Sequence, residues 1–90
     1  MRELFVETKR QDTGNGPHSF DYYLLVDQME VAEDLACESY GVKIARTGGG
    51  EEAAIPNITV SVSRIDALME LLTRNFVTPT ALRDVVEDWL

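Results

Sequence analysis

The chain has 90 residues, of which 44% are hydrophobic and 27% charged, and 16 acidic against 8 basic residues give it a formal net charge of −8. This length predicts a single domain over residues 1–90. An acidic surface repels phosphate backbones and anionic lipid, so nucleic acid and membrane are poor partners and a basic protein surface suits it better.

The first sixty residues predict an antiparallel sheet of four strands. A first strand at residues 3–9 is followed by a turn around Asn15-Gly16-Pro17. The second, at residues 19–31, alternates Phe20, Tyr22, Leu24 and Val26 on one face with Tyr23 and Leu25 on the other. Four acids without a base predict an acidic turn or bulge within residues 27–35.

A third strand is predicted at residues 36–45, with Tyr40, Val42 and Ile44 on one face. The glycines of "RTGGGEE" then form a flexible hairpin tip. A short fourth strand follows at residues 52–58, and Pro56 assigns it to a sheet edge because proline cannot donate to the ladder. Sequential strands with short connections predict a meander.

Two helices are predicted in residues 61–90. Ser63 is expected to cap the first helix, with Asp66 three residues later, and Asn75 to end it. Thr78 and Pro79 predict the start of the second. Their apolar stripes are Ile65, Leu68, Met69, Leu72 and Phe76, and then Leu82, Val85, Val86, Trp89 and Leu90. Both stripes need the buried face of the sheet, so the fold class is α+β, with the two helices packed on one face.

Trp89 shares its stripe with Leu82, Val85 and Val86, which predicts a core anchor rather than an exposed hook. On the other side of the same helix, Asp84, Glu87 and Asp88 form an acidic cluster toward the negative end of the helix dipole. The domain's own bases (Arg2, Lys9, Arg10, Lys43 or Arg46) are expected to offset this placement, and the bases of a partner are the alternative.

Three runs, "YGVKI", "IPNITVS" and the segment "LLTRNFVTPTALRDVVEDWL", resemble a small uncharacterised protein family of Clostridia and related Firmicutes. The resemblance covers residues 22–90 and implies a bacterial origin and an intracellular setting. It implies no activity and transfers no functional residue.

Catalytic and cofactor motifs are weak throughout. His18 and Cys37 are the only residues for nucleophilic or zinc chemistry, and Cys37 falls within a predicted strand. The run "DQMEVAEDLACE" lacks the ligands and the glycine of a calcium loop, and the glycine-rich turns lack the lysine of a phosphate loop. We therefore predict no enzyme, no cofactor and no metal.

Two functions remain. The first is a cytoplasmic, non-enzymatic interaction module that contacts a basic partner through Asp84, Glu87 and Asp88. The alternative is a small-molecule binder whose pocket, between sheet and helices, is lined by Tyr22, Tyr23, Tyr40 and Phe76. A homodimer through the sheet face that carries Tyr23 and Leu25 is also open.

Overall fold

The computed structural model describes residues 1–13, 16–33 and 35–90 as one antiparallel sheet followed by two helices. The strands lie in the order β1-β2-β3-β4, so β1 and β4 are the edges. The elements are β1 Arg2–Thr13, β2 Gly16–Ala32, β3 Leu35–Arg46, β4 Glu52–Thr59, α1 Val62–Arg74, a 3-10 turn Pro79–Ala81 and α2 Leu82–Trp89. The predicted α+β fold, a four-stranded meander before two helices, is confirmed.

Both helices pack against the sheet face predicted to be buried. Tyr22 on β2 and Ile44 on β3 are fully enclosed there, and α1 covers them with an apolar stripe at helical spacing. The connection after α1 and the helix α2 complete the same core. Its buried members are Phe20, Tyr22, Val42, Ile44, Ile65, Leu68, Met69, Leu72, Val77, Leu82 and Val86.

The start of α1 differs from the prediction. Ser61, rather than Ser63, is the N-cap: its backbone is extended and its Oγ accepts a hydrogen bond from the backbone N–H of Arg64 at 3.3 Å. Ser63 instead lies inside the first turn, where its hydroxyl contacts that of Ser61 at 3.1 Å. The helix begins at Val62 because the Ser61 hydroxyl accepts the N–H of Arg64, one of the first-turn donors that have no partner within the helix.

The end of α1 is at Asn75, as predicted, and the chain there reverses direction through a left-handed residue. Phe76 has φ 51°, and the N–H groups of Phe76 and Val77 donate to the carbonyls of Thr73 and Leu72, at 3.3 and 3.0 Å. This is the Schellman arrangement, which is usually closed by glycine. A phenylalanine in this conformation is strained, and its ring packs edge-on against Phe20, with the centroids 5.8 Å apart.

The second helix begins differently from the prediction. Thr78 precedes a 3-10 turn rather than an α-helix, and its side chain makes no capping hydrogen bond. The Thr78 hydroxyl contacts the Thr80 hydroxyl at 3.2 Å instead. Pro79 does occupy the first position of that turn, and α2 starts at Leu82.

The first two hairpins are longer than predicted. Gly16 and Pro17 belong to β2 and pair with Thr13 and Asp12, while Asn15 lies outside the described residues. Most of the predicted acidic turn is strand as well, since β2 continues to Ala32 with a register shift just before it. Continuous cross-strand pairing outweighs the low strand propensity of the acidic residues.

On the face away from the helices, a bulge in β4 closes over Gly41. Tyr40 pairs with Thr59 and Val42 with Ile55, so β4 passes Gly41 with extra residues, of which Asn57 is left-handed. A Cβ on Gly41 would lie 2.3 Å from the Ile55 carbonyl oxygen. Leu25, the partner of Gly41 in the sheet, is only 3% exposed. This face is therefore partly closed and does not offer Leu25 to a second molecule.

Replacement of Gly41 by alanine should force β4 away from β3. We expect Gly41→Ala to lower the free energy of unfolding by about 2–3 kcal/mol, because the clash is with backbone rather than with a flexible side chain. Urea denaturation measures this loss. Ala54→Gly, at an exposed position on β4, is the control and should cost only about 0.5–1 kcal/mol. Equal effects of the two variants would contradict the close approach at Gly41.

Candidate functional site

The acidic cluster predicted from the sequence forms a continuous surface on α2. Asp84, Glu87 and Asp88 are all exposed, and their spacing of three and four residues makes them neighbours on the helix. Asp84 lies in the first turn, where the dipole favours an acid, whereas Glu87 and Asp88 lie in the last turn, where it does not. We call these three residues the acidic face of α2.

The cations of the described residues do not neutralise this face. No ion pair within residues 1–13, 16–33 and 35–90 involves Asp84, Glu87 or Asp88, and the last turn of α2 holds no basic residue. Arg83 lies four residues before Glu87, yet the two form no ion pair. The ion pairs present are Arg2–Glu38, Arg10–Asp12, Lys43–Glu3, Lys43–Glu52, Arg46–Glu51 and Arg74–Glu70.

Trp89, next to the acidic face, is half-buried and packs against the core. The guanidinium of Arg64 on α1 lies 4.4 Å from the centre of its ring. This cation–π contact covers the indole and holds the Arg64 guanidinium beside the last turn of α2, where it forms no ion pair with Glu87 or Asp88. Trp89 thus anchors α2 to α1, although its ring is not fully enclosed.

Tyr22, predicted to line a pocket, is a core residue. It is fully buried, and its hydroxyl donates a hydrogen bond to the carbonyl of Val77 at 2.7 Å. Burial away from water, reinforced by the negative charge of Glu7, raises the pKa of Tyr22 to about 12. The tyrosine is therefore neutral at ordinary pH and joins the sheet to the connection between the helices.

The other two tyrosines are not brought together with Tyr22. Tyr23 points to the opposite face, where its ring packs edge-on against Phe5 and Lys43 Nζ lies 5.5 Å from its centre. Tyr40 is half-buried at the margin of the core, and its hydroxyl donates to Glu38 at 3.2 Å. Burial and this hydrogen bond to Glu38 raise the pKa of Tyr40.

Phe76, one of the four predicted pocket residues, lines a cleft, and Tyr22, Tyr23 and Tyr40 are not among the described residues that line it. The cleft has a volume of about 300 Å³ and lies where the ends of two hairpins meet the connection between the helices. Phe20 and Phe76 contribute aromatic surface, and the rest of the lining is polar: Gln11, His18, Glu51, Thr78 and Thr80. No sequence motif could have identified this set, because its members are distant in sequence and meet only through the sheet register and the left-handed Phe76.

His18 and Cys37 are far apart in the sheet. Cys37 pairs with Met29, whereas His18 lies at the other end of β2, about 35 Å away at the usual rise per strand residue. In the part of the chain that the structure describes, no three His, Cys, Asp and Glu side chains are placed to hold a metal ion. None of the described helices combines the length and the apolar character needed to cross a bilayer.

Comparison with known protein families finds one model that matches residues 1–90 along the whole chain. The chain belongs to the family of unknown function DUF6514. This agrees with the resemblance to an uncharacterised family noted from the sequence. No curated protein and no solved structure matches the chain, so the residues of this DUF6514 member carry the functional argument by themselves.

The hydrogen bond from Tyr22 to Val77 should contribute to the free energy of unfolding and to the way that free energy changes with pH. We expect Tyr22→Phe to lower the free energy of unfolding at neutral pH by about 1–2 kcal/mol, because the buried Val77 carbonyl loses its donor. The pKa of Tyr22 is raised from 10.0 to about 12, so its contribution is complete below pH 10 and is lost as the pH rises toward 12.

Chemical denaturation of the wild type at neutral pH and across that alkaline range tests this. The wild type should lose more stability than Tyr22→Phe as the pH rises. Tyr23→Phe is the control, since the Tyr23 hydroxyl has no hydrogen-bond partner within the described residues, and it should leave the neutral stability nearly unchanged. Parallel pH profiles for the wild type and Tyr22→Phe would contradict the assignment.

Proposed function

We propose that this DUF6514 member is a non-enzymatic interaction module that presents the acidic face of α2 to a basic segment of a partner protein. The observation that carries the proposal is the exposure of Asp84, Glu87 and Asp88 without an ion pair to any of the described residues. Lysine or arginine side chains of a partner would supply that charge. A cytoplasmic location in a bacterium of the Firmicutes belongs to the same proposal and rests on the sequence resemblance and on the single cysteine.

The electrostatics favour a partner rather than an internal solution. Two cations of α1 have contacts of their own, since Arg64 covers Trp89 and Arg74 pairs with Glu70, and Arg83 on α2 forms no ion pair with the acidic face. Each unfavourable acid at a helix end costs about 0.3–1 kcal/mol in exposed positions. A basic partner would remove this cost on binding, and the association would weaken with salt because the charges are exposed.

Two variants that lose the same number of charges distinguish binding of a basic peptide by the acidic face from an effect of net charge. Asp84→Asn/Glu87→Gln/Asp88→Asn removes three charges from α2. The control Asp27→Asn/Glu30→Gln/Glu33→Gln removes three charges from the β2–β3 hairpin. With an arginine-rich peptide as the probe in isothermal titration calorimetry, we expect the α2 variant to bind at least about tenfold more weakly and the control nearly as well as the wild type.

Glu87→Gln/Asp88→Asn, without the change at Asp84, should also make the isolated protein more stable. Neutral side chains at positions 87 and 88 remove the unfavourable interaction with the helix dipole, which predicts a gain of about 0.5–1 kcal/mol at low ionic strength. Equal peptide binding by the two charge variants, or binding that does not respond to salt, would refute the proposal.

A small-ligand site is the second candidate, favoured by the cleft beside Phe76. The left-handed Phe76 is strained, and strained residues often mark functional sites. Its ring, together with the hydroxyls of Thr78 and Thr80, suits a small molecule that combines an aromatic ring with hydrogen-bonding groups. His18 and Glu51 add a proton donor or acceptor and a negative charge at the same cleft.

Ligand binding in the cleft would respond to His18 and not to the tyrosine that lies outside it. A thermal-shift screen with small aromatic metabolites would supply the probes, and NMR shift mapping would locate them. We expect His18→Ala to weaken a hit at least about tenfold and Tyr40→Phe to leave it unchanged. A screen without hits, or hits that respond only to Tyr40→Phe, would exclude the cleft as the site.

A further inference from the structure

The edge strand β1 carries exposed apolar side chains that the helices do not cover. Leu4 and Val6 are each 43% exposed and Phe5 is 60% exposed, in consecutive positions of one strand. Among the described strands, none pairs with the outer edge of β1, which leaves backbone N–H and C=O groups available there. We infer that β1 is the strand through which two copies of this chain pair, in antiparallel orientation, to join their sheets into one.

The two edges of the sheet differ in how well they are protected. β4 is short, contains Pro56, and turns away from regular pairing at the bulge with the left-handed Asn57. Proline and bulges are common devices that prevent edge pairing. β1 has no proline in its 12 residues and a single register shift, between Phe5 and Glu7. With one bulge, no proline and a length of 12 residues against 8 for β4, β1 is the less protected of the two edges.

The distribution of charge also selects β1 as the contact between copies. Residues 1–13 contain three acids and three bases and are neutral, so residues 14–90 carry the whole net charge of −8. Two copies that meet along β1 bring together the least repulsive part of an acidic protein. A contact through residues 14–90 would instead involve the part of the chain that carries the net charge.

The register shift in β1 determines how two such strands can align. Before the shift, Glu3 and Phe5 pair with Leu25 and Tyr23, on the face away from the helices. After it, Thr8 and Arg10 lie on that face, because they pair with Asp21 and Ser19. Opposite residues in an antiparallel pair point to the same face. In an antiparallel pair of two β1 strands, the first half of one lies beside the second half of the other. Their side chains therefore share a face only when an odd-numbered residue of the first half stands opposite an even-numbered residue of the second half.

One of these registers pairs opposite charges. It places Glu3 of each copy opposite Arg10 of the other, Leu4 opposite Lys9 and Phe5 opposite Thr8. The two-fold axis then passes between Val6 and Glu7. A shift of the two strands by two residues in one direction would place Arg2 opposite Lys9. The same shift in the other direction would place Glu3 opposite Asp12. Like charges across a strand pair are unfavourable, so the Glu3–Arg10 register is selected.

The two charged side chains of this register remain exposed enough to make the contact. The Glu3 side chain is 47% exposed although it binds Lys43 Nζ at 2.8 Å, and the Arg10 side chain is 67% exposed with only a 3.6 Å contact to Asp12. Leu4 would lie along the aliphatic part of Lys9. The pairing leaves the acidic face of α2 open, because α2 continues from the 3-10 turn, which packs over β3 and β4 and thus toward the opposite edge of the sheet.

Sedimentation equilibrium of the full chain tests the pairing and separates it from the proposed function. We expect a monomer–dimer equilibrium at concentrations of about 10–500 μM that tightens at least about threefold when NaCl rises from about 0.02 to 0.5 M, because salt screens the repulsion between two chains of charge −8. Binding of a basic peptide by α2 would weaken over the same range. A monomer throughout, or a dimer that dissociates with added salt, would overturn the inference.

Charge exchange tests the register. Glu3→Arg and Arg10→Glu each place like charges opposite each other twice, and each should weaken self-association about tenfold. An equimolar mixture of the two variants should associate as well as the wild type, since opposite charges then meet at both contacts. Glu3→Arg/Arg10→Glu within one chain should also restore the dimer.

Glu3 and Arg10 do not touch within one copy. If the mixture of the two variants recovers self-association, the recovery must therefore come from a contact between copies. A thermal melt of each single variant provides the control for folding, because Glu3→Arg also removes a partner of Lys43. Weak association of the mixture with both variants folded would exclude this register.

Discussion

The hydroxyl of Tyr22 reaches from the middle of the sheet to the carbonyl of Val77, and the arrangement of the helices depends on this contact. The carbonyl belongs to the short connection in which Phe76 is left-handed and Val77 closes the end of α1. A buried carbonyl without a donor is costly, so the hydrogen bond fixes where α2 begins relative to the sheet. The position of α2 in turn sets Trp89 against Arg64 and leaves its acidic face outward.

The same connection explains why the cleft lies where it does. Phe76 can reach Phe20 only because its backbone adopts a positive φ, and Thr78 and Thr80 follow on the neighbouring turn. His18 and Glu51 arrive from two hairpins that end at the same side of the sheet. The cleft is thus a consequence of how the α1 terminus is closed, and the strain at Phe76 is offset by aromatic packing.

The two edges of the sheet differ in how well they are protected against pairing with another strand, and they also differ in charge. The bulge of β4 over Gly41 interrupts regular pairing at one edge and closes the face beside Leu25. The other edge, β1, is neutral and apolar in its first half, while the rest of the chain is acidic. Contacts through β1 and contacts through α2 therefore respond to salt in opposite directions, because one brings acidic chains together and the other opposes acid with base.

The sequence by itself determined the class of fold, the faces of β2 and β3, and the two helices, because alternation and helical spacing are local signals that burial reinforces. The acidic face of α2 could be read the same way, from the positions of Asp84, Glu87 and Asp88 on one helix. Only the tertiary structure decided that Tyr22 is core, that Tyr23 and Tyr40 lie apart from it, and that the cleft is lined by His18 and Glu51. Those outcomes follow from the strand register, from the bulges in β1 and β4 and from the left-handed Phe76. These features bring together residues that are distant in the chain, and they produce no periodic pattern in the sequence.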